Sequence, residues 1–191
     1  MKFSAKSAVA KSMLAALLLI VTATNAYGFD GKRKGFQIGL GIGAHTSAFT
    51  FEPTNTPDEV DSEKNLATQL HIGYGVSNQF TLYLGGKGGA IVMNEEDATV
   101  AFSGVGATFY LSPSSPSLYV TGLVGRGSLS LESDKNLEIN GDGWLAGIGY
   151  EVTDRLHLEL SYGEALLVNV DNEADKYTME SGFATIQYIW Y

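Results

Sequence analysis

One short pattern occurs twice in the sequence and restricts the secondary structure that this chain can form. Residues 73–84 (GYGVSNQFTLYL) are echoed by residues 149–160 (GYEVTDRLHLEL). In each copy, two segments of alternating apolar and small or polar residues flank three polar turn residues. A period of two places the apolar side chains on one face of a strand, and a short turn fixes the register of the pair. The chain is therefore predicted to form antiparallel hairpins with one apolar face and one small or polar face.

The first 28 residues are predicted to be a cleaved export signal, which leaves residues 29–191 as the folded domain. The segment opens with three lysines, continues as a short apolar run over 13–21, and ends in small residues. Cleavage is expected after Ala26 or Gly28. The apolar run is too short for a transmembrane helix, and no longer run follows it.

Charge and cysteine content exclude several classes of function. Removing the three signal lysines from the 12 basic residues leaves nine against 21 acidic residues, a net charge of −12. Such a surface argues against nucleic-acid binding, which requires basic patches. The chain has no cysteine, so disulfides and thiolate metal sites are excluded. No cofactor and no metal site are predicted.

Alternation predicts eight strands joined by connections of two kinds. The predicted strands are residues 36–49, 66–76, 80–93, 99–111, 118–131, 144–152, 156–165 and 177–191. Short turns, at 77–79, 112–117 and 153–155, alternate with longer loops at 52–65, 94–97, 132–143 and 166–176. The longer loops carry most of the acidic residues: Asp58, Glu59, Asp61, Glu63, Glu95, Glu96, Asp97, Glu132, Asp134, Glu138, Asp171, Glu173 and Asp175. Short turns at one end and longer loops at the other are typical of outer-membrane barrels.

The two faces of the strands indicate which side meets lipid. An eight-stranded barrel has room inside only for packed side chains. The bulky apolar parity, such as Ile38 and Leu40, is therefore expected outside, and the glycine-rich parity, such as Gly39 and Gly41, inside. Aromatic residues near the strand ends match interfacial girdles: Phe36, Tyr74, Phe80, Phe109, Tyr150, Tyr162, Tyr188 and Trp190. The alternative is a soluble exported barrel or sandwich, which would bury its bulky parity.

The last strand carries a predicted assembly signal. It ends in FATIQYIWY, with the aromatic Tyr191 last and with Ile189 and Phe183 on the same parity. This ending resembles the carboxy-terminal strand signal of bacterial outer-membrane proteins, although Gln187 and Thr185 depart from it. The opposite parity, from Ala184 to Trp190, is more apolar, so the sequence leaves open which parity of this strand faces lipid.

Taken together, residues 35–191 resemble the small eight-stranded bacterial outer-membrane barrels, of the OmpA-transmembrane or Ail/OmpX type. The most similar stretch is residues 149–162 (GYEVTDRLHLELSY). The resemblance implies an all-β fold, a closed antiparallel up-and-down transmembrane barrel, in the outer membrane. It also implies outer-membrane lipid, lipopolysaccharide and the barrel-assembly machinery as partners. Eight strands can close a barrel within one chain, so a monomer is predicted, although the sequence does not fix the oligomeric state. Any extracellular ligand is left open.

Five polar residues are predicted to form a cluster in the lumen: His71, Lys87, Glu151, His157 and Glu159. Pairing of Val152 with Leu156 would set Glu151 opposite His157. The cluster has two interpretations, a network that fills the barrel or a narrow pathway for small solutes. A structural network is favoured, because eight strands leave little room inside.

Two further hypotheses concern single side chains. His157, Glu159 and Ser161 share one face, which suggests the residue types of a lipid-modifying hydrolase. Alternate strand positions lie ~6.5 Å apart, too far for a Ser–His hydrogen bond, so no enzyme is predicted. Arg126 either faces lipid with Leu118, Val120 and Val124, and reaches lipopolysaccharide phosphates, or joins the lumen cluster. The sequence therefore predicts a non-catalytic outer-membrane barrel whose acidic loops serve surface interaction or envelope integrity.

Overall fold

The computed structural model describes residues 33–51, 56–58, 65–93, 96–131, 138–169 and 176–191. The predicted export signal lies outside these ranges, as do residues 52–55, 59–64, 94–95, 132–137 and 170–175 of the predicted long loops. The strands are β1 Gly35–Phe51, β2 Thr56–Asp58, β3 Asn65–Gly75, β4 Phe80–Met93, β5 Glu96–Tyr110, β6 Ser117–Leu131, β7 Glu138–Glu151, β8 Leu156–Asn169 and β9 Lys176–Trp190. Within the described ranges, no helix is long and apolar enough to cross a bilayer.

Eight of these strands close into an antiparallel barrel, which confirms the predicted fold. Each barrel strand pairs with the next along the chain from β3 to β9, and β1 pairs with both β3 and β9. Among the described strands, the short β2 pairs with β1 alone, through Phe49 to Phe51. Closure leaves no long sheet edge with unpaired backbone groups, as a hydrocarbon surrounding requires.

The register gives the barrel its tilt. A row of directly paired residues starts at Ile38 and passes through Ile72, Leu84, Val105, Val124, Trp144, Glu164 and Glu180. It returns to β1 at Ala48, ten residues beyond its start. Such a stagger requires strands inclined to the barrel axis and sets how wide the interior is.

Several strands are longer at the loop end than the sequence predicted. The strand predicted to begin at residue 144 begins at Glu138, and that predicted to end at 165 continues to Asn169. Residues 140–143 (NGDG) resemble a turn, yet they pair directly with Ser128 to Gly125 of β6. Pairing on both sides outweighs the local turn preference, because a neighbouring strand satisfies every backbone group there. The loops predicted at 132–143 and 166–176 are correspondingly shorter, and Thr56–Asp58 in the first predicted loop is a strand.

Candidate functional site in the barrel lumen

The five predicted lumen residues all lie inside the barrel. Each side chain belongs to a residue at most 7% exposed. Their charges are divided between two ion pairs, however. Glu151 lies near the short turns beside His157, and Lys87 pairs with Glu159 further up. His71 belongs to neither pair but lines a small cavity together with His157 and Glu159. Two centres of charge, rather than one pathway, therefore occupy the lumen.

The mouth at the short-turn end is closed by Arg33, which the sequence analysis missed. Its guanidinium forms a bidentate ion pair with Glu151, in which Nε donates to Oε1 at 3.0 Å. Its Nη1 also donates to the carbonyl oxygens of Asn78, at 2.5 Å, and Ser112, at 2.7 Å. The guanidinium lies 4.0 Å from the centre of the Tyr110 ring, within range of a cation–π contact. One side chain thus joins the first two short turns to the end of β7.

Parity could have identified Arg33. It continues the inward odd-numbered series of β1 (Gln37, Gly39, Gly41) two residues below the strand. Glu151 occupies the matching inward position at the end of β7. A basic and an acidic residue, both inward and both at the turn end, are candidates for a buried pair.

The predicted register at the last short turn is confirmed. Val152 donates to Leu156 O at 2.8 Å, and Glu151 is directly opposite His157. His157 Nε2 lies 3.8 Å from Glu151 Oε1 and 3.0 Å from the hydroxyl of Tyr191. The rings of Tyr110 and Tyr119 contact the same imidazole, at centroid distances of 6.0 and 5.6 Å. A buried aromatic layer therefore lies directly above the Arg33 mouth.

The second charge centre surrounds Lys87. Its ammonium pairs with Glu159 and donates to Ser161 Oγ at 2.7 Å. Tyr119 donates its hydroxyl to the other oxygen of Glu159 at 3.1 Å. Ser161 therefore contacts a lysine that is already paired with a carboxylate, rather than His157. Among the described residues, no group of three histidine, aspartate or glutamate side chains is arranged to hold a metal ion.

His71 occupies a third environment. Its ring stacks on Tyr83 at a centroid distance of 4.5 Å and an interplanar angle of 23°. The Tyr83 hydroxyl lies 2.9 Å from Thr121 Oγ1, which fixes the tyrosine across the lumen. Gly106 provides the space for this ring, since a Cβ built there would lie 2.2 Å from Tyr83 Cζ.

The outer half of the lumen, towards the long loops, is mainly apolar, with His45, Ser47 and Ser181 as buried polar side chains among its residues. Its buried apolar side chains form one packed cluster: Phe49, Ala67, Ile91, Ala98, Val100, Phe102, Leu123, Leu129, Ile139, Leu145, Ala165, Leu167, Met179 and Phe183. The two ion pairs, His157 and His71 fill the other half, which we call the periplasmic half. Within the lumen, two cavities of about 10 Å³ each lie among the polar residues. Each has the volume of about one water molecule.

The outer surface carries the bulky apolar parity, as predicted. Exposed fractions there reach 63% at Leu84, 68% at Val124 and 60% at Leu160. Arg126 is exposed on this outward face, two residues from Val124 towards the loops, so the lumen alternative for it is wrong. Tyr162 and Trp144 contact each other further round the same face, at 5.9 Å, and Tyr162 donates to Glu180 Oε1 at 2.7 Å. The aromatic side chains therefore mark the edge of an apolar belt.

The residues of the predicted assembly signal face the lumen. Phe183, Ile189 and Tyr191 are at most 4% exposed, whereas Ile186 is 52% and Tyr188 38% exposed. The parity left open by the sequence is thus resolved: the series from Ala184 to Trp190 faces lipid. Recognition of these residues by the assembly machinery stays a prediction.

Comparison with known proteins relates this geometry to solved structures. No family model matches the chain, and no curated protein sequence matches it. Ail, the attachment invasion locus protein of Yersinia pestis, is similar in structure, with a TM-score of 0.55 and 14% identity over 82% of this chain and 99% of Ail. Neisserial surface protein A is similar with a TM-score of 0.53 and 15% identity, over 81% of this chain and 97% of that protein. At such identities the likeness establishes the fold. The chain has the fold of the integral β-barrels of the bacterial outer membrane, with an apolar outer surface of the kind that lipid requires.

Proposed function

We propose that this chain is a closed, non-catalytic barrel that acts through its loops and outer surface. The filled lumen carries this proposal. The outer half is occupied by packed apolar side chains, and the cavities in the periplasmic half have room for single waters. A hydrated ion crossing the barrel would have to displace both the apolar cluster and the ion pairs.

The Lys87 centre supports the non-catalytic part of the proposal. Ser161 and Glu159 are 8% and 6% exposed, and both face inward. A lipid substrate in the outer leaflet would meet the opposite face of β8, which carries Leu160 and Tyr162. Lipid A from cells that overexpress the protein is therefore expected to keep its mass, whereas a new species dependent on Ser161 would contradict this part.

The charge of the chain suggests the kind of partner. One structure of Ail holds the heparin analogue sucrose octasulfate, a polyanion. The acidic residues that cluster in the sequence around the long loops would repel such a ligand. We therefore propose a cationic partner, or divalent cations shared with lipopolysaccharide phosphates. Protein in nanodiscs is expected to bind immobilised polylysine in low salt and to release it in high salt. It is expected not to bind immobilised heparin.

Ion conductance tests the closed lumen. The purified barrel in a planar bilayer is expected to be electrically silent. The alternative, a narrow solute channel, predicts discrete openings that change when Lys87 or Glu159 is replaced by alanine. Openings that these substitutions leave unchanged would point to a contaminant, so the two variants serve as the control.

A further inference from the structure

Two buried nitrogen atoms in the periplasmic half have no hydrogen-bond partner among the described residues. They are His71 Nε2 and Gln187 Nε2, in residues 5% and 2% exposed. Buried polar atoms in folded proteins are nearly always satisfied, by protein or by ordered water. Each atom is therefore expected to have a hydrogen-bonding partner other than the described side chains.

Both side chains line the same small cavity. Its volume is about 10 Å³, and its wall includes Tyr83, Tyr119 and His157. The cavity matches one water molecule, and its wall is rich in polar groups, as a buried water requires. Larger ligands are excluded by the volume.

The surrounding contacts fix the direction of both side chains. Gln69 donates to Gln187 Oε1 at 3.3 Å, and Thr185 donates to Gln69 Oε1 at 2.9 Å. This chain of hydrogen bonds leaves the amide nitrogen of Gln187 as the free end, a donor. The stacked His71 ring can present Nε2 as an acceptor when its proton is on Nδ1.

Two glycines make room at these nitrogens. A Cβ built on Gly39 would lie 2.5 Å from Gln187 Nε2, and one built on Gly73 would lie 2.9 Å from His71 Nε2. A side chain at either position would therefore crowd the amide or the imidazole.

We propose that this cavity is a binding site for one ordered water molecule, which accepts a hydrogen bond from Gln187 and donates one to His71. A water is both donor and acceptor, so it satisfies the two unlike groups at once. The molecule would be an integral part of the network that fills the periplasmic half.

Crystallography of the full barrel at a resolution that shows ordered water tests the proposal. A peak is expected within about 3.2 Å of both nitrogens in the wild-type protein. It should disappear or move in His71→Phe, which keeps a ring against Tyr83, and in Gln187→Met. The matched control is His45→Phe, since His45 is a buried histidine that does not line this cavity. There the peak should remain.

A wild-type map without a peak at the two nitrogens would overturn the proposal, as would a peak unchanged in both variants. The proposal does not depend on the variants folding. In the wild-type protein, nuclear magnetic resonance should detect a cross-relaxation signal between a long-lived water and the His71 ring. A ring that gives no such signal, while the hydroxyl-bonded His157 ring is observed in the same spectra, would equally contradict it.

Discussion

The two halves of the lumen are built from the same strands and the same inward parity, yet they are filled by opposite chemistry. The periplasmic half holds two ion pairs, from Arg33 to Glu151 and from Lys87 to Glu159, inside a shell of tyrosines and histidines. The outer half is packed with aliphatic and aromatic side chains around Phe102. In the outer half, packed apolar side chains close the lumen, and removing one of them leaves no charge uncompensated. In the periplasmic half, paired charges close the lumen, and removing one member of a pair leaves the other charge buried without its partner. Mutations should therefore act differently in the two halves.

The largest effect is expected from breaking a buried ion pair. Lys87→Met leaves Glu159 buried without its cation, which should lower the free energy of unfolding by about 3–5 kcal/mol. Replacing both partners, with Lys87→Met and Glu159→Leu, should recover most of that loss, because no uncompensated charge remains. Urea unfolding in phospholipid vesicles, followed by tryptophan fluorescence, measures both. If the two substitutions act independently, so that the double variant loses more stability than Lys87→Met alone, then the two residues do not act as a pair.

A comparable loss is expected in the outer half, but without rescue by a partner. Phe102 is 1% exposed and meets Phe183 edge to face at 6.1 Å. Phe102→Ala should cost about 3–5 kcal/mol through the cavity that it leaves. The matched control on the same strand is Phe109→Ala, since Phe109 is 48% exposed on the lipid side and its removal leaves no internal cavity. Equal losses at the two sites would contradict a packed outer half.

A charge on the lipid-facing surface should cost somewhat less. Leu160 lies midway between the turn at residue 155 and Glu164 on the outward face. Leu160→Arg is expected to lose about 2–4 kcal/mol, the cost of an arginine near the bilayer midplane. Thr46→Arg, on the exposed face nearer the loops, should lose only about 0–1 kcal/mol. A larger loss of unfolding free energy in Thr46→Arg than in Leu160→Arg, in the same assay, would contradict this position of the apolar belt.

The smallest effect concerns one hydrogen bond in the periplasmic half. Tyr191→Phe removes the hydroxyl that lies 3.0 Å from His157 Nε2. The expected loss is about 0.5–1.5 kcal/mol, since the imidazole then lacks that partner. Tyr150→Phe is the control, because Tyr150 is 42% exposed on the lipid side. The comparison would fail if both tyrosines gave the same change.

Strand parity was predictable from the sequence because a lipid-facing strand must alternate. The inward position of His71 and Glu151, and the opposition of Glu151 to His157, follow from alternation and turn length alone. The loop-end boundaries were less predictable, because the segment 140–143 (NGDG) resembles a turn until its pairing with β6 is known. Local residue preference carries no information about a distant partner strand.

The grouping of the lumen residues was not predictable in the same way. Partners such as Lys87 and Glu159 lie on β4 and β8, which do not pair, so only the closed barrel brings them across the lumen. Arg33 was missed because it precedes the first predicted strand, so the inward odd-numbered series was not extended back to it. The inward direction of Tyr191 likewise depends on the register of β9 with β1. In this register Trp190, the residue before Tyr191, lies opposite Ile38.

The absence of cysteine from the sequence makes the closed lumen directly testable. Val100 is fully buried in the outer half, and Leu160 is exposed to lipid. Single-cysteine variants at these two positions can be exposed to a water-soluble maleimide in intact outer membranes, and again after unfolding. A closed lumen predicts that Val100→Cys does not react with the water-soluble maleimide until the barrel is unfolded. Leu160→Cys is the control: facing hydrocarbon, it should be protected in the folded barrel whether the lumen is open or closed. Rapid labelling of Val100→Cys by the water-soluble reagent in the folded barrel would mean that water fills the lumen, and would contradict the account.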